Sequence, residues 1–249
     1  MSPPDHPLYD RIGARYRVGR AEDSRLAAAI TQALGPARTV INVGAGTGSY
    51  EPMDREVMAV EPSSVMIAQR AAGSAPVIQA SAEHLPFADQ SFDAAMAVLS
   101  DHHWTDRTAG LREMRRVARS RVVIFQWDMR FVDSFWLTRD YLPGFRKRAG
   151  MTADDIAAAI GGGTTEPFPI PFDMRDGFLS AYWRRPEAYL DPEVRANISV
   201  FALMARPDVD AFVRQLSSDL AGGAWHRRNS AILQLPEMDL GYRLIIGGL

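Results

Sequence analysis

The 249-residue chain contains no cysteine. That excludes disulfide bridges, thiolate metal sites and a cysteine nucleophile. No stretch approaches the ~18 consecutive apolar residues that a membrane-spanning helix needs. The first twenty residues carry prolines and charges and lack the apolar segment of a signal peptide, so the expectation is a cytoplasmic protein with no membrane partner. An excess of one charge is missing too, since 28 basic residues face 30 acidic ones and leave a net charge of −2. Such balance gives no global reason to expect nucleic acid as a partner, and the arginine clusters at 112–121, 146–148 and 227–228 are the one local feature pointing the other way. No internal repeat or low-complexity segment stands out, and nothing in the sequence sets the oligomeric state.

What is present is an alternation of helix and strand signals over the first half, the pattern of a parallel sheet covered by helices. Residues 22–34 predict a helix capped by Asp23 or Ser24, with Leu26, Ile30 and Leu34 on one face and Gly35-Pro36 as its stop. Short β-branched runs predict strands at 39–43, 56–60, 76–79 and 92–99. A further helix is predicted at about 106–118 and a fifth strand at 121–127, apolar enough to lie in the middle of a sheet. After Trp127 the texture changes to short helices between prolines and glycines. A capping box opens at Thr152. A possible edge strand covers 164–170, a helix beginning at Asp191-Pro192 carries Val194, Ile198, Phe201 and Ala205 on one face, and another runs over about 207–220. Residues 240–246 predict the last strand. Thirteen of the 23 aromatic residues fall within 125–190, which marks this region as an apolar core, a ligand pocket, or both.

The strongest chemical signal is the run Val40-Ile-Asn-Val-Gly44-Ala45-Gly46-Thr-Gly48-Ser49. A glycine turn after a strand lets backbone approach a ligand closely, and the following helix can aim free N–H groups at it. Glu61 ends the second strand, where a carboxylate can accept hydrogen bonds from ribose hydroxyls. That role suits a dinucleotide or another adenosine-containing cofactor. The spacing G-x-G-x-G departs from the dinucleotide fingerprint G-x-G-x-x-G/A, because Ser49 stands where the last glycine would be.

Taken in order, 40–49, Val57-Met-Ala-Val-Glu61-Pro62-Ser, Gln79-Ala-Ser81-Ala82-Glu83-His-Leu-Pro-Phe87, Ser91-Phe-Asp93-Ala-Ala-Met and Leu111-Arg-Glu-Met-Arg-Arg-Val117 resemble the motifs of class I S-adenosylmethionine (SAM)-dependent methyltransferases, of the broad group that includes the ubiquinone/menaquinone-biosynthesis type. The resemblance covers about 38–127. It implies a Rossmann-like α/β fold, a mostly parallel seven-stranded sheet flanked by helices. It also implies one methyltransferase domain over 1–249, with a SAM-binding core at 22–127, a largely helical lid and acceptor region at 128–236 and the last strand at 240–246. It further implies S-adenosyl-L-methionine as cofactor. Gly44, Ala45, Gly46 and Gly48 would wrap the methionine part, Glu61 and Pro62 the ribose, and Ser81, Ala82 and Glu83 the adenine, with Leu99 near the sulfonium. Two departures stand out: Ser81 replaces a frequent Asp, and Asn42 replaces an acidic residue at the start of the first motif. Tyr16 and Arg20 lie in a segment that resembles a leader folding over the cofactor, where Arg20 or Tyr16 would hold its carboxylate.

Asp101-His102-His103-Trp104 follows the fourth strand, beyond whose carboxyl end ligands bind in open parallel sheets. Either His102 or His103 is a candidate general base, and structural or substrate-orienting roles remain open for both. No i, i+4 histidine spacing supports a metal. Trp104, Trp136, Arg139, Tyr182 and Trp183 are the candidate liners of a pocket for a small-molecule methyl acceptor. The expected chemistry is methyl transfer to an O or N (less readily C) nucleophile of an aromatic or apolar metabolite. An NAD(P)-dependent oxidoreductase and a non-catalytic SAM-binding module are the alternatives.

Overall fold

The computed structural model describes residues 9–10, 20–147 and 150–248. The position of Tyr16 therefore lies outside the described residues. Helix α1 (Ser24–Leu34) begins where the Asp23 carboxylate accepts the N–H of Arg25, and it buries Leu26, Ile30, Ala33 and Leu34 along one stripe. The strands β1 (Thr39–Val43), β2 (Glu56–Val60), β3 (Val77–Ile78), β4 (Phe92–Val98), β5 (Ala118–Trp127), β6 (Thr164–Pro167) and β9 (Tyr242–Gly248) form one seven-stranded sheet in the order β3-β2-β1-β4-β5-β9-β6. The first five run parallel, and β9 is antiparallel to both neighbours. This is the mostly parallel seven-stranded α/β fold expected from the sequence.

Strands buried on both faces explain the sequence texture. Val40, Ala94, Met96, Val123 and Phe125 pack on one side of the sheet with α1 and the aromatic residues of the second half. Ile41, Ala95, Ala97, Val122 and Ile124 pack on the other with Leu111, Met114 and Val117 of α3 (Arg107–Val117) and Ile156 of α4 (Ala153–Ala159). The chain leaves β1 in one direction through β2, the short helix α2 (Ser64–Ile67) and β3, and returns to β4 on the opposite side. The crevice beyond the carboxyl ends of β1 and β4 is thus the switch point where open α/β sheets bind ligands.

Two expectations change in detail. The stretch 164–170 divides: β6 forms the sheet edge, where proline is tolerated, while β7 (Ile170–Pro171) pairs with β8 (Glu237–Met238) in a separate ribbon. The helix expected from Asp191 onward is two helices, α5 (Pro192–Ala196) and α6 (Ser199–Ala202). The break falls at Asn197, whose side-chain amide donates to the Glu193 carbonyl, after which Ile198 is extended. Helices α7 (Arg206–Ala221) and α8 (Ala224–Asn229) complete the insertion before β9. Among the described residues no helix is long and apolar enough to cross a membrane.

Candidate active site

The first half of the site is the turn after β1. Gly44, Gly46 and Gly48 all have positive φ, +69°, +53° and +94°, a path that glycine follows without a Cβ penalty. The N–H groups of Gly44 and Ala45 both donate to the Val60 carbonyl and so pin the turn to the end of β2. Glu61 is buried at 5% exposure. One carboxylate oxygen accepts the N–H of Gly46 at 2.8 Å and the other that of Ser63 at 2.9 Å. Burial raises its pKa, against the lowering pull of those N–H donors and Arg70. Each carboxylate oxygen can accept more than one hydrogen bond. Glu61 therefore keeps acceptor capacity for a ribose diol, and the residues present fit an adenosyl cofactor.

Asn42 donates to Glu51, and Glu51 is paired with Arg70 at 2.7 Å. Asn42 is thus tied to a carboxylate that is itself ion-paired. Pro62 is half-buried, and its carbonyl accepts the Gln79 amide. Ala82 is buried, the Ser81 carbonyl accepts the N–H of His84, and Glu83 accepts the N–H of Asp106, the residue that caps α3. Glu83 is thus engaged at a helix start. Arg20 faces Asp176 through a bidentate pair. One edge of the guanidinium expected to hold a cofactor carboxylate is therefore committed to the insertion.

The second half is a cavity of about 460 Å³ beyond the ends of β4 and β5. Leu99, His102, His103 and Trp104, all expected in the site, line it together with Arg20. Leu99 has φ +52°, a left-handed conformation that costs a branched residue about 1–2 kcal/mol and that clusters at functional sites. The two histidine rings stand 3.9 Å apart, and Nε2 of His103 is 3.0 Å from the Tyr9 hydroxyl. Asp101 lies fully buried beneath them, where Nε of Arg107 donates to it at 2.8 Å. His102 is exposed to the cavity, yet desolvation and the cations Arg107 and Arg20 lower its pKa to about 4. Desolvation and the neighbouring His102 hold His103 well below the ordinary imidazole value, with Asp101 opposing. Both rings are neutral near pH 7.

The remaining pocket residues expected from sequence lie elsewhere. Trp136 and Trp183 are core residues: the Trp136 indole donates to the Trp183 carbonyl at 2.7 Å and the Trp183 indole to that of Ile170 at 3.0 Å. Arg139 pairs with Asp140, and Tyr182 packs edge-on against Tyr189 with Arg185 over its ring. Each of these side chains found a partner within the insertion and not at the cavity. Sequence reasoning missed Arg107, Gln126, Phe178, Asn197 and Tyr242, which do line it. Gln126 carried a signal, being the one polar residue in the run Val122–Trp127.

The fold and the glycine turn define a class, an α/β protein that seats an adenosine-type cofactor at its switch point. Residues 41–125 match a family described as "Methyltransferase domain". A solved structure from Anabaena variabilis, described as a methyltransferase from an antibiotic biosynthesis pathway, is 33% identical with a TM-score of 0.85, covering 93% of this chain and 99% of that one. The demethylmenaquinone methyltransferase of Mycolicibacterium paratuberculosis is 31% identical over 133 residues, 48% of this chain and 58% of its own. The ubiquinone/menaquinone biosynthesis C-methyltransferase of Stenotrophomonas maltophilia is 32% identical over 105 residues, 36% of this chain and 41% of its own. The chain thus spans about half the length of these two relatives. The chain belongs to the class I SAM-dependent methyltransferases, and that membership sets the oxidoreductase alternative aside.

Proposed function

We propose that this protein catalyses in-line transfer of a methyl group from S-adenosylmethionine to an oxygen or nitrogen nucleophile, less readily carbon, of a small aromatic or apolar metabolite. The observation that carries this reading is the position of Trp104. It lines the cavity, its Nε1 stands 3.2 Å from where a Cβ on Gly44 would sit, and Gly110 of α3 leaves the space its ring occupies, since a Cβ there would lie 2.4 Å from Cε3. One side chain is therefore a shared wall between the glycine turn and the cavity. That is the adjacency a displacement requires of its two reactants. A non-catalytic binding module would need no such cavity beside the turn.

When bound, S-adenosylmethionine supplies an electrophilic methyl group on a sulfonium, so the chemistry of the leaving group resides in the cofactor. This chain's residues position and exclude water. Glu61 and the glycine turn hold the adenosyl end, Leu99 and Trp104 fix the boundary between the two ligands, and Met129, Phe145, Phe178 and Tyr242 enclose the acceptor. His103 holds an unprotonated nitrogen ready to accept a proton, but burial makes it a weak base. A phenol, with pKa about 10, is a more suitable proton donor to it than an aliphatic alcohol. This supports an acidic hydroxyl or a nitrogen as the acceptor atom. The names of the relatives, one acting on demethylmenaquinone and one drawn from antibiotic biosynthesis, support an acceptor of small-molecule size.

Calorimetric titration with S-adenosylhomocysteine tests the reading. Wild type should bind it, and Glu61→Ala should weaken binding by about 1–3 kcal/mol, the scale for losing a buried hydrogen-bond partner. No heat at millimolar ligand would overturn the proposal. Unchanged affinity in the variant would remove Glu61 from the ribose role.

A further inference from the structure

Two amides on the cavity wall have hydrogen-bonding capacity that the protein leaves unspent. Gln126, at the end of β5, is 2% exposed, and its Oε1 accepts from Arg107 at 2.7 Å. A guanidinium has donors only, so Oε1 must be the atom facing Arg107 and the amide orientation is fixed. Its Nε2 is then a donor, buried and without a partner. Asn197, at the break between α5 and α6, is 7% exposed and presents the mirror case. Its Nδ2 donates to the Glu193 carbonyl at 2.8 Å, which fixes that amide as well, and its Oδ1 is a buried acceptor without a partner. Both residues line the same cavity, among the rings of Trp104, Trp127, Phe145, Phe178 and Tyr242.

A buried polar atom left unsatisfied is costly, and native proteins carry few of them. Two of opposite sense behind one cavity wall, both closed to solvent in this structure, form a recognition pattern for a ligand that opens that wall on binding. We propose that Gln126 and Asn197 are the specificity-determining pair for the methyl acceptor. The acceptor is then a flat, largely apolar molecule with a carbonyl, ether or phenolate oxygen for the Gln126 N–H and a hydroxyl or N–H for the Asn197 oxygen. This rests on the methyltransferase reading above and narrows its substrate class. A site built to hydrogen-bond a ligand group rejects the analogue lacking it far more strongly than an apolar pocket rejects a missing methylene.

The probes are the positional isomers of hydroxy-1-tetralone, which carry a carbonyl and a hydroxyl on one flat frame. The matching hydroxytetralins lack the carbonyl, and 1-tetralone lacks the hydroxyl. Binding is read by quenching of tryptophan fluorescence in the presence of saturating S-adenosylhomocysteine, whose own affinity is measured separately. Wild type should bind at least one hydroxytetralone about tenfold or more tightly than either deletion analogue. Gln126→Leu should abolish the preference over the hydroxytetralin while keeping that over 1-tetralone, and Asn197→Leu should do the reverse. Gln126→Glu keeps an acceptor for Arg107 but replaces the N–H with a second acceptor. It should lose the carbonyl preference even if Gln126→Leu proves unstable by thermal melt. Failure of every isomer to bind wild type at millimolar concentration, or discrimination unchanged in the variants, overturns the proposal. If S-adenosylhomocysteine still binds in that case, only the pair is wrong. If it does not bind, the methyltransferase reading fails with it.

Discussion

His102 stands on the cavity wall with 41% of its side chain exposed, and the cations around it oppose its charge. His102 titrates in an unfolded chain near 6.5 and in the folded protein near 4, because desolvation, Arg107 and Arg20 oppose its charge, with Asp101 4.0 Å from its Nδ1. The folded pKa is depressed, so between these values the unfolded state binds the proton first. The stability tied to neutral His102 is complete above about pH 6.5 and is lost as pH falls toward 4. His103 is shifted in the same direction. Wild type should therefore lose more stability than His102→Gln between pH 7 and 4, measured as urea midpoints at matched ionic strength. Parallel profiles would mean that the ring is solvated and that the cavity does not depress it. The same depression would constrain the proposed proton transfer, since a nitrogen that stays neutral is available at every physiological pH yet pulls only weakly on a proton.

At the level of elements, the backbone was far more legible than the cavity. The strands at 39–43 and 56–60 stand where the β-branched runs put them, because a strand buried on both faces writes a near-continuous apolar signature. The glycine turn and Glu61 were equally plain, since their spacing is a local property of the chain. The part of the cavity wall drawn from the second half was not. Trp136 and Trp183 carry the composition of pocket liners, but their indole N–H groups reach carbonyls inside the insertion, and only tertiary packing decides that. Asn197 sat inside an apolar helical period whose break was invisible until its amide turned back to Glu193. Backbone contacts nevertheless yield a sharp prediction at the sheet edge. A Cβ on Gly163, just before β6, would lie 2.2 Å from the Ile246 carbonyl of β9, whereas one on Gly144 would meet open space. Gly163→Ala should cost about 1–3 kcal/mol, the scale of overpacking. Gly144→Ala should change stability by less than about 0.5 kcal/mol. Equal denaturant midpoints for the two would show that the β6–β9 edge relaxes freely.

Across the whole molecule, the glycine turn and the insertion are tied through one buried carboxylate. Asp176, 1% exposed, accepts from Arg20 and from the hydroxyl of Tyr50, which sits two residues beyond Gly48. Nearby, Asp23 accepts the N–H of Arg175, and Arg25 pairs with Asp173 at 2.7 Å, so the 173–176 turn is stitched to the start of the core. Arg20 also lines the cavity beyond β4 and β5. Removing one member of such a pair strands a buried charge and costs about 3–5 kcal/mol, whereas replacing both with apolar residues removes the stranded charge as well. Arg20→Met and Asp176→Leu should each lower the urea midpoint sharply. The double variant should be no worse than the more damaged single one, a coupling that a double-mutant cycle reads directly. Strict additivity would mean that the two groups act independently, and the 173–176 turn would then have no charge link to the glycine turn. Strong coupling would make Asp176 the point through which order in the glycine turn reaches the cavity wall, so both single variants and the double variant should show a smaller stabilisation by S-adenosylhomocysteine than wild type does.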